Sequence, residues 1–250
     1  CPNCALTDVV TCPDPDTWGL TFNDGPSTAT PELLDMLKEN NLKATFFLVG
    51  GSVVEYPDVV RRQAEEGHHI ASLTWSHTPL TTLSNAEIVV EVRWTEKAIE
   101  EATGQKVRYI RPPYGEVDNR VRFVLTKIGY TIVDWSGKDF NTKDLDGTLS
   151  RLEKTADEVV SRFKKTLTAY TNPATLPSRG FITLAHDTSS ETTAVAKELV
   201  LLGIQSSLKI QSVASCLQDN WPYAPPPGAG IGGANAERLP PRPSDAGSGG

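Results

Sequence analysis

Short apolar runs alternate with amphipathic stretches of helical length along most of this chain. Runs at 18–22, 44–48, 69–73, 109–111, 130–133, 181–184 and 207–210 have the length and residue types of buried strands. Between them, the stretches 31–40, 57–66, 85–103, 119–127, 149–168 and 191–202 repeat apolar positions at helical spacing. Ser84 followed by Glu87 has the form of a capping box, and Pro31 and Pro57 suit the first turns of their helices. Such alternation predicts an α/β fold with parallel pairing and right-handed crossovers, curled into a barrel or wound to both sides of an open sheet. The pattern alone leaves that choice open. In both arrangements the reactive groups belong at the C-terminal ends of the strands.

Composition changes sharply after Cys216. The segment 222–250 is rich in Pro, Gly, Ala and Ser and reads as a disordered linker or stalk. Its end, Gly247-Ser248-Gly249-Gly250, is compatible with a processed glycolipid anchor site. The expected division is an N-terminal cysteine-containing segment over 1–16, one catalytic-type domain over 17–218 and a tail over 219–250. With 250 residues, 38% of them hydrophobic, the chain can bury one large core, and a monomer is expected. A net charge of −7 without a run of Lys or Arg argues against nucleic acid and anionic membranes as partners. No stretch reaches the roughly 20 apolar residues that span a bilayer. Cys1, Cys4, Cys12 and Cys216 read as disulfides formed in an oxidising, extracellular setting, with Cys12 to Cys216 the expected bridge and Cys1 to Cys4 the second.

The strand ends carry the chemistry. Thr21-Phe22-Asn23-Asp24-Gly25-Pro26 follows the first strand and Leu73-Thr74-Trp75-Ser76-His77 the third. Arg111-Pro112-Pro113-Tyr114 follows the fourth, Trp135 to Phe140 surrounds the fifth, and Leu184-Ala185-His186 ends the sixth. In order and kind, this series resembles the five motifs of the polysaccharide deacetylases (carbohydrate esterase family four, the NodB homology domain), including those that act on chitin. The family patterns are Thr-Phe-Asp-Asp-Gly-Pro, His-Ser/Thr-x-x-His, Arg-x-Pro-Tyr, an Asp-Trp pair and Leu-x-His. The resemblance implies a distorted (β/α) barrel, secretion to the cell surface or wall, and an N-acetylglucosamine polymer such as chitin as partner.

It also implies a mechanism: a divalent metal, commonly zinc, polarises the acetyl carbonyl and its bound water, a carboxylate takes the water's proton, and an acid protonates the leaving amine. By position, Asp24 and His77 stand as metal ligands, His186 as the acid and Arg111 as the residue that orients the base. Tyr114 offers a backbone N–H to the oxyanion, Leu184 walls the acetyl methyl, and Trp75 or Trp135 borders the sugar groove. Two positions depart from the pattern. The base position holds Asn23, a carboxamide with no useful basicity, and the remaining metal histidine is Leu73. In the fourth motif Asp139 and Phe140 stand for Asp-Trp, and the preceding acidic position falls on Ser136, which leaves Arg111 short of a partner.

Two protein ligands fall below the three usual at a catalytic zinc, so metal binding is expected to be weak or absent. Asp24 and His77 alternatively bond each other beneath the rim. His68 reads as structural, His69 as solvent-facing, and Trp94 as helix packing. The substitutions therefore admit two functions: a glycan-binding pseudoenzyme, or an active deacetylase with an unconventional base and a metal held by Asp24, His77 and waters.

Overall fold

The computed structural model describes residues 7–136 and 155–224. The Cys1–Cys4 pair, Asp139, Phe140, the expected helix start at 149 and the tail from 225 onward lie outside the described residues. Ten strands are described: β1 (Thr17–Gly19), β2 (Thr21–Asn23), β3 (Thr45–Leu48), β4 (His69–Ser72), β5 (Lys106–Val107), β6 (Tyr109–Ile110), β7 (Thr131–Ile132), β8 (Phe181–Ile182), β9 (Lys209–Gln211) and β10 (Tyr223–Ala224). Helices α1 (Thr30–Glu39), α2 (Gly50–Glu55), α3 (Pro57–Glu65), α4 (Asn85–Thr103), α5 (Asn119–Lys127), α6 (Ala156–Thr171), α7 (Ser190–Ile204) and α8 (Val213–Cys216) alternate with them.

Parallel strands run in the order β2-β3-β4-β6-β7 in one sheet and β8-β1-β9 in a second. Leu20 separates β1 from β2, so one continuous segment serves both sheets. On the far side, Ser136, just past β7, donates its backbone N–H to Ile182 O at 2.9 Å, and Asn23 N–H bonds Ala185 O at 2.9 Å. These bonds carry the ring of strands around to its start, which makes the fold a distorted (β/α) barrel in a single domain.

Period-two alternation then sorts the strand residues. Phe46, Ile70, Ile110, Ile132 and Phe181 face the helices in the large core. Phe47, Ala71, Tyr109, Val133 and Ile182 fill the interior, together with Leu73, Val213 and the bonded pair Cys12–Cys216.

Three sequence expectations change. His69 shares the interior face with Ala71 and Leu73, because residues two apart point the same way. It is buried, with its Nδ1 3.0 Å from Thr45 Oγ1 and its ring edge-on to Tyr109, so it does not face solvent. Helix α2 lies outside the helical stretches given by the sequence pattern. Gly50 is needed there: a Cβ would meet the Trp75 ring at 2.5 Å. Within the expected tail, Tyr223 and Ala224 are half-buried and docked on the barrel. Tyr223–Ala224 pairs antiparallel with Lys106–Val107, and Tyr223 Oη accepts from Ile70 N–H at 2.9 Å.

Candidate active site

The mouth of the barrel is built from the ends of β2, β4, β6, β7 and β8. Asn23 closes β2, and Asp24 follows in the left-handed region at φ 67°. That turn directs consecutive side chains to different sides. Gly25 completes it, and no larger residue fits, because a Cβ would fall 2.5 Å from Asp187 Oδ1. Asp187 is fully buried and accepts from Thr30 Oγ1 at 2.6 Å. Burial pushes its carboxyl up to about 7, against the lowering effect of the Thr30 bond.

Beyond β4, Thr74 and His77 both adopt positive φ, 68° and 57°, a conformation that costs a β-branched or bulky residue energy unless its surroundings impose it. Glu91 on α4 imposes it. Its carboxylate accepts from Trp75 N–H and Ser76 N–H, each at 2.8 Å, and from Ser76 Oγ at 2.7 Å. The loop so held sets His77 Nε2 3.3 Å from Asp24 Oδ1, with its ring 4.7 Å from that of Tyr114. His186, buried at the end of the β8 segment, brings Nε2 to 3.7 Å from Asp24 Oδ2. Asp24 thus lies between the two imidazoles.

Arg111 lies wholly inside the barrel. It donates to Asn23 Oδ1 and Thr21 Oγ1, each at 2.8 Å, and to the backbone carbonyls of Val133 and Asp134 at 3.4 and 3.2 Å. Its guanidinium rests 4.0 Å from the centre of the Phe47 ring and 5.7 Å from that of Trp135. Burial lowers its pKa to about 9, while Asp134 and Asp24 favour its charge, so it remains protonated at neutral pH. Burial raises the Asp134 carboxyl, and Arg111 opposes that rise. Arg111 therefore has a buried acidic neighbour, contrary to the expectation that it lacks one. The missed signal was position: Asp134 stands directly before Trp135 at a strand end, where every other motif places its polar group.

Tyr114 is 51% exposed at φ 61°. Trp135 packs over Gly115, where a Cβ would meet its ring at 2.9 Å, so Tyr114 and Trp135 stand on one rim. Leu184 is buried. Trp75 is half-buried and meets Trp94 edge-on at 5.8 Å. Trp94 is 55% exposed, not packed away as its spacing suggests, and forms with Trp75, Val90 and Glu91 an open cleft of about 280 Å³.

Of the positions that the resemblance assigns to a metal, Asp24 and His77 carry donor atoms, while Leu73, 1% exposed, belongs to one buried apolar cluster with Phe47, Ala71, Tyr109 and Val133. Among the described residues no three His, Cys, Asp or Glu side chains converge as metal ligands. No helix of the described residues is long and apolar enough to cross a membrane.

The family model for polysaccharide deacetylase matches residues 11–133. Chitin deacetylase 1 of Cryptococcus neoformans is 38% identical over 227 residues, which are 87% of this chain and 47% of that protein. The chain thus spans about half the length of the first curated relatives it matches. Among solved structures, the chitin deacetylase of the fungal pathogen Colletotrichum lindemuthianum superposes with a TM-score of 0.75 at 30% identity, over 87% of this chain and 95% of that one. A mutant of a Bacillus anthracis CE4 family pseudoenzyme, one with restored enzymatic activity, gives a TM-score of 0.70 at 25% identity over 86% of this chain and 72% of that one. With four of the motifs and Trp135 of the remaining one ranged around one barrel mouth, and with these likenesses extending over most of its length, the chain belongs to the polysaccharide deacetylase family.

Proposed function

We propose that this chain binds N-acetylglucosamine polymers at the barrel mouth and has lost all or nearly all turnover. The observation that carries this reading is Leu73, sealed into the apolar interior where the third metal ligand would stand. Asn23 supports it, since a carboxamide whose oxygen is already engaged by Arg111 has no basic lone pair for a water proton. Losing a positioned base costs about 10² to 10⁴ in rate, and losing a metal-activated water removes several kcal/mol more. Relatives named as chitin deacetylases supply the substrate class, and the CE4 pseudoenzyme supplies a family parallel. The Cys12–Cys216 bridge supports a secreted or wall-associated setting.

Metal analysis of the purified protein, combined with acetate release from chitin oligomers, tests the reading. The unmodified protein should bind the oligomers, carry no stoichiometric zinc and release no acetate. Leu73→His should restore the metal, but turnover should return only with Asn23→Asp and Leu73→His together and little with either alone, because base and metal act on the same water. Acetate release by the unmodified protein at about 1 per second or faster would establish it as an unconventional deacetylase instead.

A further inference from the structure

We propose that Asn23 turns the base position into a hydrogen-bond donor for the intact N-acetyl carbonyl, so that the mouth selects acetylated over unacetylated sugar. This rests on the glycan-binding reading and specifies what the site recognises.

The orientation of an asparagine amide is usually ambiguous, since its oxygen and nitrogen have nearly the same shape. Here Arg111 decides it. A guanidinium has five N–H donors and no acceptor, so the atom 2.8 Å from Arg111 Nη1 must be Asn23 Oδ1. A flipped amide would set N–H against N–H. Arg111 cannot turn away to accommodate one, because it has no solvent exposure and is also bound to Thr21 Oγ1, Val133 O and Asp134 O. The Asn23 backbone is equally fixed, with its N–H on Ala185 O and a bridge to His186.

Nδ2 is therefore directed away from the guanidinium, at the strand end shared with Asp24 and His186. Among the described residues none accepts a hydrogen bond from it. A carboxylate at this place would present only acceptors. The amide presents a donor, and an acetamido carbonyl is the acceptor that an N-acetylated sugar brings to the mouth. A sugar without that group leaves the donor unmatched, and a protonated glucosamine amine meets it with further donors.

Calorimetric titration of the disulfide-bonded protein with the N-acetylglucosamine tetramer and with cellotetraose, a neutral β-1,4 chain lacking acetamido groups, tests the assignment. The protein should prefer the acetylated tetramer by about tenfold or more. Asn23→Asp, which gives Arg111 a carboxylate partner and so should fold, should weaken the acetylated tetramer by about tenfold and leave cellotetraose little changed. Asn23→Leu should act in the same direction. In the unmodified protein, the side-chain amide resonances of Asn23, identified by their loss in Asn23→Asp, should shift with the acetylated tetramer. If both tetramers bind alike, or if Asn23→Asp binds as the unmodified protein does, or if those resonances stay fixed, the inference is wrong while glycan binding stands. If neither tetramer binds, the glycan-binding reading falls and this inference with it.

Discussion

Leu73 sits one residue past the end of β4, two residues beyond Ala71 on the same interior face, and that register gives its substitution consequences in both directions. A histidine there puts an imidazole into an apolar cluster, at a cost of about 1 to 3 kcal/mol if its ring nitrogens find no partner. The same histidine also joins Asp24 and His77 as a third ligand. Zinc binding only the folded form then returns about 2.7 kcal/mol at a hundredfold excess over its dissociation constant. In chelator, Leu73→His should melt below the unmodified protein. Excess zinc should raise its midpoint by about 5 °C or more and leave the unmodified protein unchanged. Equal melting with and without zinc would mean that the loop held by Glu91 no longer presents His77 to a common ion.

That Asn23, Asp24, His77, Arg111 and His186 gather at one mouth was legible in the sequence, because each lies at or just beyond a strand end and belongs to an ordered series. Asp134 and Glu91 were not, because their roles depend on partners 23 and 15 or 16 residues away that only the fold brings near.

At the level of elements, β4 shows why alternation has to be applied with the neighbouring strands in view. With His68 and His69 following Glu65, Glu66 and Gly67, its entry looks polar, yet both imidazoles are buried because β4 lies between β3 and β6 with both faces covered. Burial lowers His69 to about 3, partly opposed by Asp219, and lowers His68 to about 4, with Lys43 adding to the effect of burial. Each folded-state pKa lies below the unfolded value of about 6.5, so the unfolded chain binds more protons as the pH falls through that window. Stability is then full above about pH 6.5 and declines towards pH 4 and 3. His69→Gln removes one of these protons from the balance. It should cost stability at pH 7 by breaking the contacts with Thr45 and Tyr109, and that deficit should shrink by about 2 to 3 kcal/mol by pH 4.5. Urea titrations of both proteins at the two pH values measure it, and a deficit that does not change with pH would place His69 in water after all.

The helices were easier to anticipate. The Ser84–Glu87 capping box forms as expected. Matching boxes at Thr155–Glu158 and Ser189–Thr192 begin α6 and α7, the first lying inside a stretch expected to be helical already.

Over the whole molecule, alternation and composition gave one parallel α/β domain but could not choose a barrel over an open sheet. Closure rests on contacts that no local pattern encodes, such as Asn23 N–H bonding Ala185 O and Ser136 N–H bonding Ile182 O. The disulfide belongs to the end of the barrel opposite the mouth. Gly180 N–H, just before β8, bonds Cys12 O, while Val213 N–H, at the start of the helix carrying Cys216, bonds Thr45 Oγ1 at the first residue of β3. Both anchor points are at strand starts, whereas Asn23, His77, Arg111 and His186 are at or beyond strand ends. In barrels of this kind the strand starts govern stability and the strand ends govern chemistry. The bridge spans a sequence separation of 204, for which chain entropy assigns up to about 5 kcal/mol of stabilisation. Cys12→Ser with Cys216→Ser should therefore lower the melting midpoint by about 10 °C or more. At temperatures well below that midpoint it should bind the N-acetylglucosamine tetramer with unchanged affinity. A loss of affinity in a protein still fully folded would show that the two ends of the barrel are coupled through the interior cluster that both Leu73 and the bridge help to fill.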